Sequence, residues 1–215
     1  EVLHAAGYGV LLPDLQAHGE STGRRITFGA LEGRDAAAAI GFVRSRSPGE
    51  RVGLIGVSLG GAAAVLAPTP LGADALVLES VYPDIRAALL NRLRAGLGPT
   101  AGPVLAPLLA PFFALLLPPV LGVTAAELRP VDRIATTGAP VLIMTGERDD
   151  RAPPDEARAL FTRAAEPRRF VLVPGVAHAD LEKHDPGAYW AEVMPFMERH
   201  LRPDTARLSP PPVPG

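Results

Sequence analysis

Gly56-Val57-Ser58-Leu59-Gly60, with Gly61 directly behind it, decides the reading of this chain. An apolar run at 51–57 leads into it, and a small-residue run at 60–66, ending Ala-Ala-Ala-Val-Leu, leads out. The first run suits a strand and the second a helix. A strand that turns abruptly into a helix holds the serine in a strained backbone conformation with its hydroxyl exposed, and only small neighbours permit the close packing. The helix behind the serine also directs its positive end at the reacting centre. Five residues of this pattern alone are common by chance and would read as a glycine-rich turn. The strand–turn–helix context makes them specific.

Working outward, strands are expected at 8–12, 73–79, 140–145 and 169–173, with helices at 30–44, 84–94, 155–165 and 185–201. Ala36, Ala39, Ile40 and Val43 recur at helical steps, as do Trp190, Val193, Met194, Met197 and Leu201. Asp185 can cap the last helix, Pro186 suits its first turn, and Pro195 should kink it. Strands that alternate with helices imply an α/β fold: a mostly parallel sheet with helices on both faces. One domain at 1–202 accounts for this pattern, and the Pro-rich tail at 203–215 is expected to be disordered.

Bulk composition narrows the function. The formal net charge of −2 supplies no basic field, which argues against a nucleic-acid partner. The absence of cysteine excludes disulfides, thiolate catalysis and Cys-built metal sites. It also removes redox chemistry as a guide to compartment, so the cytoplasm is only a default expectation. The chain opens at Glu1 with neither Met nor a signal-peptide pattern. The sequence does not give the oligomeric state.

Residues 96–123 stand apart. Pro99, Pro103, Pro107 and Pro111 recur every four residues among apolar side chains, and Pro118-Pro119 follow. The run approaches membrane-span length, but each internal proline removes a backbone donor and should break a regular helix. A kinked apolar lid over a pocket is the expected role, with a partner or membrane-surface contact through 103–121 as the alternative.

A serine hydroxyl needs a base to become a useful nucleophile. Among five histidines, His178 lies just past the last expected strand, on the same sheet edge as Ser58. His4 and His200 lie at the wrong ends of helices, His184 sits beside the last helix start, and His18 competes from the first loop. The base needs an orienting carboxylate. Asp149 and Asp150 both follow the 140–145 strand, and Glu79 ends its own strand. Sequence position alone leaves Asp149 and Asp150 open.

The order serine, acid, histidine along the chain resembles that of the α/β-hydrolase superfamily. The resemblance runs from Ala5 to Leu201 and is strongest to the bacterial branch of serine-aminopeptidase-like and dienelactone-hydrolase-like proteins. Pro13-Asp14-Leu15 through His18-Gly19-Glu20-Ser21-Thr22-Gly23 looks like the branch's Asp-x-x-Gly-His-Gly-x-Ser segment, although Gln16-Ala17 stands where Arg-Gly is frequent. By that resemblance His18 is a structural loop residue. The glycine three residues before the family's acid matches Gly146, which favours Asp149, and Pro174-Gly175-Val176-Ala177-His178 matches the histidine segment. The backbone N–H of Leu59 is then one oxyanion donor. The resemblance also implies that the first strands, and the loop bearing the second donor, lie outside this chain. On that expectation the 215 residues alone fold poorly and are nearly inactive, since one lost donor costs about two to three powers of ten in rate.

What the resemblance implies is a hydrolase that needs no cofactor or metal and acts on a small-molecule acyl substrate. An ester is favoured by the greasy 103–121 segment. A peptidase or amidase of the same fold, and a non-catalytic scaffold or membrane-surface module, are the alternatives.

Overall fold

The computed structural model describes residues 1–178 and 181–202. The tail expected at 203–215 lies outside the described residues. Four strands, β1 (Gly53–Val57), β2 (Ala75–Glu79), β3 (Val141–Arg148) and β4 (Arg168–Ala177), form one sheet in the order β1-β2-β3-β4. Every neighbouring pair is parallel. The helices are α1 (Val2–Ala5), α2 (Glu32–Arg46), α3 (Leu59–Leu66), α4 (Ile85–Leu121), α5 (Pro130–Arg133), α6 (Pro154–Arg163), α7 (Leu181–His184) and α8 (Pro186–Leu201).

Strand side chains alternate between two cores, as the pleat requires. Leu76, Leu78, Val141 and Ile143 join Ile40 of α2, Ala62, Ala64 and Val65 of α3, and Ala157 and Leu160 of α6. Ala75, Val77, Leu142 and Met144 join Leu181 of α7 and Tyr189, Val193, Phe196 and Met197 of α8. Both sheet faces are therefore covered, which is why β2 is apolar from Ala75 to Leu78 and buried throughout. This is the expected α/β architecture.

Three local expectations are corrected. Residues 8–12 form no strand: β1 pairs with β2, and 8–12 carry no ladder among the described residues. A strand exists only by its hydrogen-bonded neighbour, so apolar composition was insufficient. Tyr8 packs beside the α8 core, while Leu12 is 89% exposed. Second, β3 and β4 run beyond their expected ends and stay paired to Arg148↔Ala177 across an irregularity between Gly146 and Arg148. That extension carries both strands to the candidate site.

The third correction concerns the proline-rich stretch. It is helical almost throughout, as part of α4, and the interruption falls at Gly98 (φ 77°, ψ 179°) rather than at the prolines. The chain doubles back there. A Cβ on Gly102 would stand 2.5 Å from the carbonyl oxygen of Arg94, an approach that only glycine allows. Pro99 follows the break and takes a first-turn slot, where no N–H is needed. Pro103, Pro107 and Pro111 then recur at i, i+4, so their missing donors fall on one exposed side. Gly102, Ala106 and Ala110 form the buried side. Likewise α8 continues through Pro195 to Leu201.

Candidate active site

The turn from β1 into α3 is strained at Ser58. Ser58 lies between β1 and α3 at φ 48°, ψ −106°, a left-handed φ that side-chain-bearing residues seldom adopt. Two hydrogen bonds lock it. The Ser58 N–H donates to the Glu79 carbonyl (2.7 Å), and the Ser58 carbonyl accepts from Ala62 N–H (2.9 Å). The glycines are not equivalent. A Cβ on Gly56 would lie 2.7 Å from the Gly61 backbone, and one on Gly61 would lie 2.3 Å from Val81 Cγ2, whereas Gly60 faces open space. Gly56→Ala is expected to destabilise by about 1–3 kcal/mol through overpacking. Gly60→Ala should be neutral or gain up to about 1 kcal/mol from helix propensity. Urea melts of the two variants check this; equal midpoints would remove the distinction.

Asp149 and His178 meet directly. His178 Nδ1 lies 2.9 Å from both Asp149 oxygens. The Asp149 side chain is fully buried and that of His178 partly so. Asp149 Oδ1 also accepts the backbone N–H groups of Arg151 (2.9 Å) and Ala152 (2.8 Å), which fix the carboxylate within its turn. Burial alone would push the Asp149 carboxyl up. The hydrogen bonds from His178 and Ala152, with the charge attraction of His178, more than offset it and hold the group below its ordinary value. Among the described residues Ser58 Oγ makes no hydrogen bond to His178. In unliganded sites such contacts often tighten only when substrate binds.

The competing residues go elsewhere. Asp150 is exposed. Glu79 is buried at the end of β2, where its carboxylate accepts the Tyr189 hydroxyl and its carbonyl holds Ser58. His18 Nδ1 lies 2.9 Å from the Gln16 carbonyl, within its own loop. His4 lies in α1 and His184 in α7, while His200 packs on the Phe196 ring. Among the described residues no group of three or more His, Asp and Glu side chains converges as a metal site.

Two supports escaped sequence reasoning. Glu32, fully buried, accepts Thr27 N–H (2.7 Å), Thr27 Oγ1–H (2.7 Å) and Gly29 N–H (2.9 Å). Burial opposes its charge, but these donors prevail and lower its pKa. The loop they fix receives the buried Tyr82 hydroxyl at the Phe28 carbonyl. Asn91 of α4 donates to Glu156 Oε1 (2.7 Å) and the Arg151 carbonyl (3.3 Å), tying the insert to the turn that carries Asp149. Burial pushes the Glu156 carboxyl up. Glu32 could have been sought as a helix-start carboxylate behind Thr27. Asn91 left no sequence signal, because its partners lie sixty or more positions away.

Comparison with known proteins agrees with this architecture. The model of the alpha/beta hydrolase family matches residues 1–193. An uncharacterized protein of Mycobacterium tuberculosis is 34% identical over 187 residues, covering 85% of this chain and 57% of its own length. The alpha/beta hydrolase domain-containing protein WAV2 of Arabidopsis thaliana is 28% identical over 202 residues, covering 84% of this chain and 62% of its own. The chain thus spans less than two thirds of either relative. Among solved structures, the Pyrococcus furiosus esterase Pf2001 superposes with a TM-score of 0.69 at 21% identity, over 93% of this chain and 74% of that one. A puromycin-hydrolyzing peptidase of M. tuberculosis gives 0.61 at 19%, over 82% and 26%. At such identities these two structures speak for the fold alone.

Proposed function

The chain belongs to the alpha/beta hydrolase family, and on that premise we propose that it is a serine hydrolase of carboxylic esters or related acyl compounds. One observation carries the reading: a strained Ser58 at the head of α3, on the sheet edge where the Asp149–His178 pair also lies. Ser58 Oγ attacks the substrate carbonyl while His178 Nε2 takes its proton. His178 returns that proton to the leaving group, and an acyl ester of Ser58 remains. His178 next draws a proton from water, whose oxygen attacks the acyl carbon, and the acid departs as Ser58 regains its hydrogen. Asp149 keeps Nδ1 as the N–H donor and stabilises the charged ring. Leu59 opens α3, so its N–H has no acceptor within the helix and is free to meet the developing oxyanion.

The ester preference rests on the apolar insert, α4, which enters the fold between β2 and β3. A fluorophosphonate probe tests the chemistry: it should modify the protein once, on the peptide that contains Ser58. A p-nitrophenyl acyl ester series set against aminoacyl amides tests the substrate class. Faster turnover of the amides would replace the esterase reading with a peptidase, and no modification at Ser58 in folded protein from the natural reading frame would end the hydrolase mechanism.

A further inference from the structure

We propose that the outer face of α4 docks on the headgroup layer of an anionic lipid bilayer, an inference independent of the catalytic reading. Val104, Leu108, Phe112 and Leu115 recur at helical spacing and are 65%, 70%, 57% and 75% exposed. Leu105, 41% exposed, extends this surface on one side. No charged side chain occurs between Arg94 and Glu127. By length, and by the mean hydropathy of its most apolar 18 residues (2.2), the helix could cross a membrane, yet it does not have the build for crossing. Its Gly102, Ala106 and Ala110 side is buried in the protein. Pro103, Pro107, Pro111, Pro118 and Pro119 each leave the carbonyl four residues earlier without its helical donor. In hydrocarbon each such carbonyl costs several kcal/mol, whereas at headgroup depth water reaches it. The helix is therefore built to lie in the interface, apolar side down.

Charge selects the lipid. α4 carries Arg86, Arg92 and Arg94 and no acidic residue, in a chain whose net charge is −2. Arg86 and Arg94 are exposed. Two exposed cations on the helix that bears the apolar face, with no acidic residue in that helix, match an anionic headgroup layer better than a second copy of the same cationic helix.

The test is co-sedimentation of the protein, expressed from its natural reading frame, with vesicles of phosphatidylcholine and phosphatidylglycerol (about 7:3) and with phosphatidylcholine alone. The protein should pellet with the mixed vesicles, and several-fold less in high salt. The double variant L108E/F112E should lower the bound fraction at least tenfold, and R86E/R94E should remove the preference for phosphatidylglycerol. Phe42→Glu, on exposed α2 surface, should bind as the wild type does. Circular dichroism melts verify that each variant is folded; L108Q/F112Q provides a milder pair if the glutamates unfold it. Wild-type protein that stays in the supernatant overturns the proposal. So does binding that both double variants leave unchanged, or a dimer in light scattering that L108E/F112E splits without any vesicle binding.

Discussion

Ser58→Ala is expected to lower the turnover of an activated acyl ester by about 10⁴-fold or more, with the thermal midpoint within a few degrees of wild type. The two halves of this result have separate causes. On the proposed mechanism turnover collapses because Oγ forms the acyl bond, and no other hydroxyl stands at the head of α3. Stability persists because the elbow is held through the backbone. The Ser58 N–H still donates to Glu79 and its carbonyl still accepts from Ala62. Alanine also keeps the Cβ already accommodated at φ 48°. KM should change little, since Oγ contributes to bond making more than to ground-state binding. A variant that retained a tenth of wild-type turnover, measured in protein from the natural reading frame and free of contaminating esterase, would refute nucleophilic catalysis by Ser58.

Asp149→Asn should cost about 10⁴ in kcat by a different route. The backbone N–H groups of Arg151 and Ala152 both point at Oδ1. An asparagine keeps its carbonyl oxygen there, because the alternative places an amide donor against two donors. Its NH₂ group then faces His178 Nδ1, which must accept, and the ring proton moves to Nε2. The nitrogen that should receive the serine proton is thus already protonated. The folded protein should lose only modest stability, since both backbone bonds survive. Asp150→Asn, at an exposed carboxylate one residue away, should stay within about twofold of wild type. Steady-state kinetics on the two variants decides the matter. Equal losses, or a larger loss at Asp150, would reverse the assignment of the acid.

Much of this was legible in the sequence, for reasons that differ by element. The elbow was legible because its signal is local: a strand, a turn that demands glycine and a helix occupy a few consecutive residues. Even so, the sequence treated Gly60 as part of the requirement, whereas the space around it is open and Gly61 bears the contact. His178 was legible as a histidine just past a strand, and the strand proves to reach Ala177. The choice between Asp149 and Asp150 was not legible from position, because adjacent residues on a turn differ only in which side chain is buried. Residues 8–12 misled because apolar composition reports burial, whereas a strand also needs a partner. The prolines of α4 misled because each was judged by itself. Their four-residue spacing gathers the losses on one exposed side, while Gly98 supplies the bend.

The position of α4 also bears on how this protein could change over generations. The chain leaves the sheet after β2 and returns at β3 with the two strands still adjacent, Leu76 opposite Val141 and Glu79 opposite Met144. Closing a longer loop at that junction costs little, about 0.6 kcal/mol for each doubling of its length. The exposed part of the distal arm can therefore lengthen, shorten or be exchanged while strand register stays fixed. The early turns that carry Asn91 are tethered to the Asp149 turn, and Leu117 near the far end joins the core beside Leu76 and Val141, so the change is confined to the stretch between them. Divergence among descendants should concentrate beyond Gly98, with what the protein touches evolving apart from what it does.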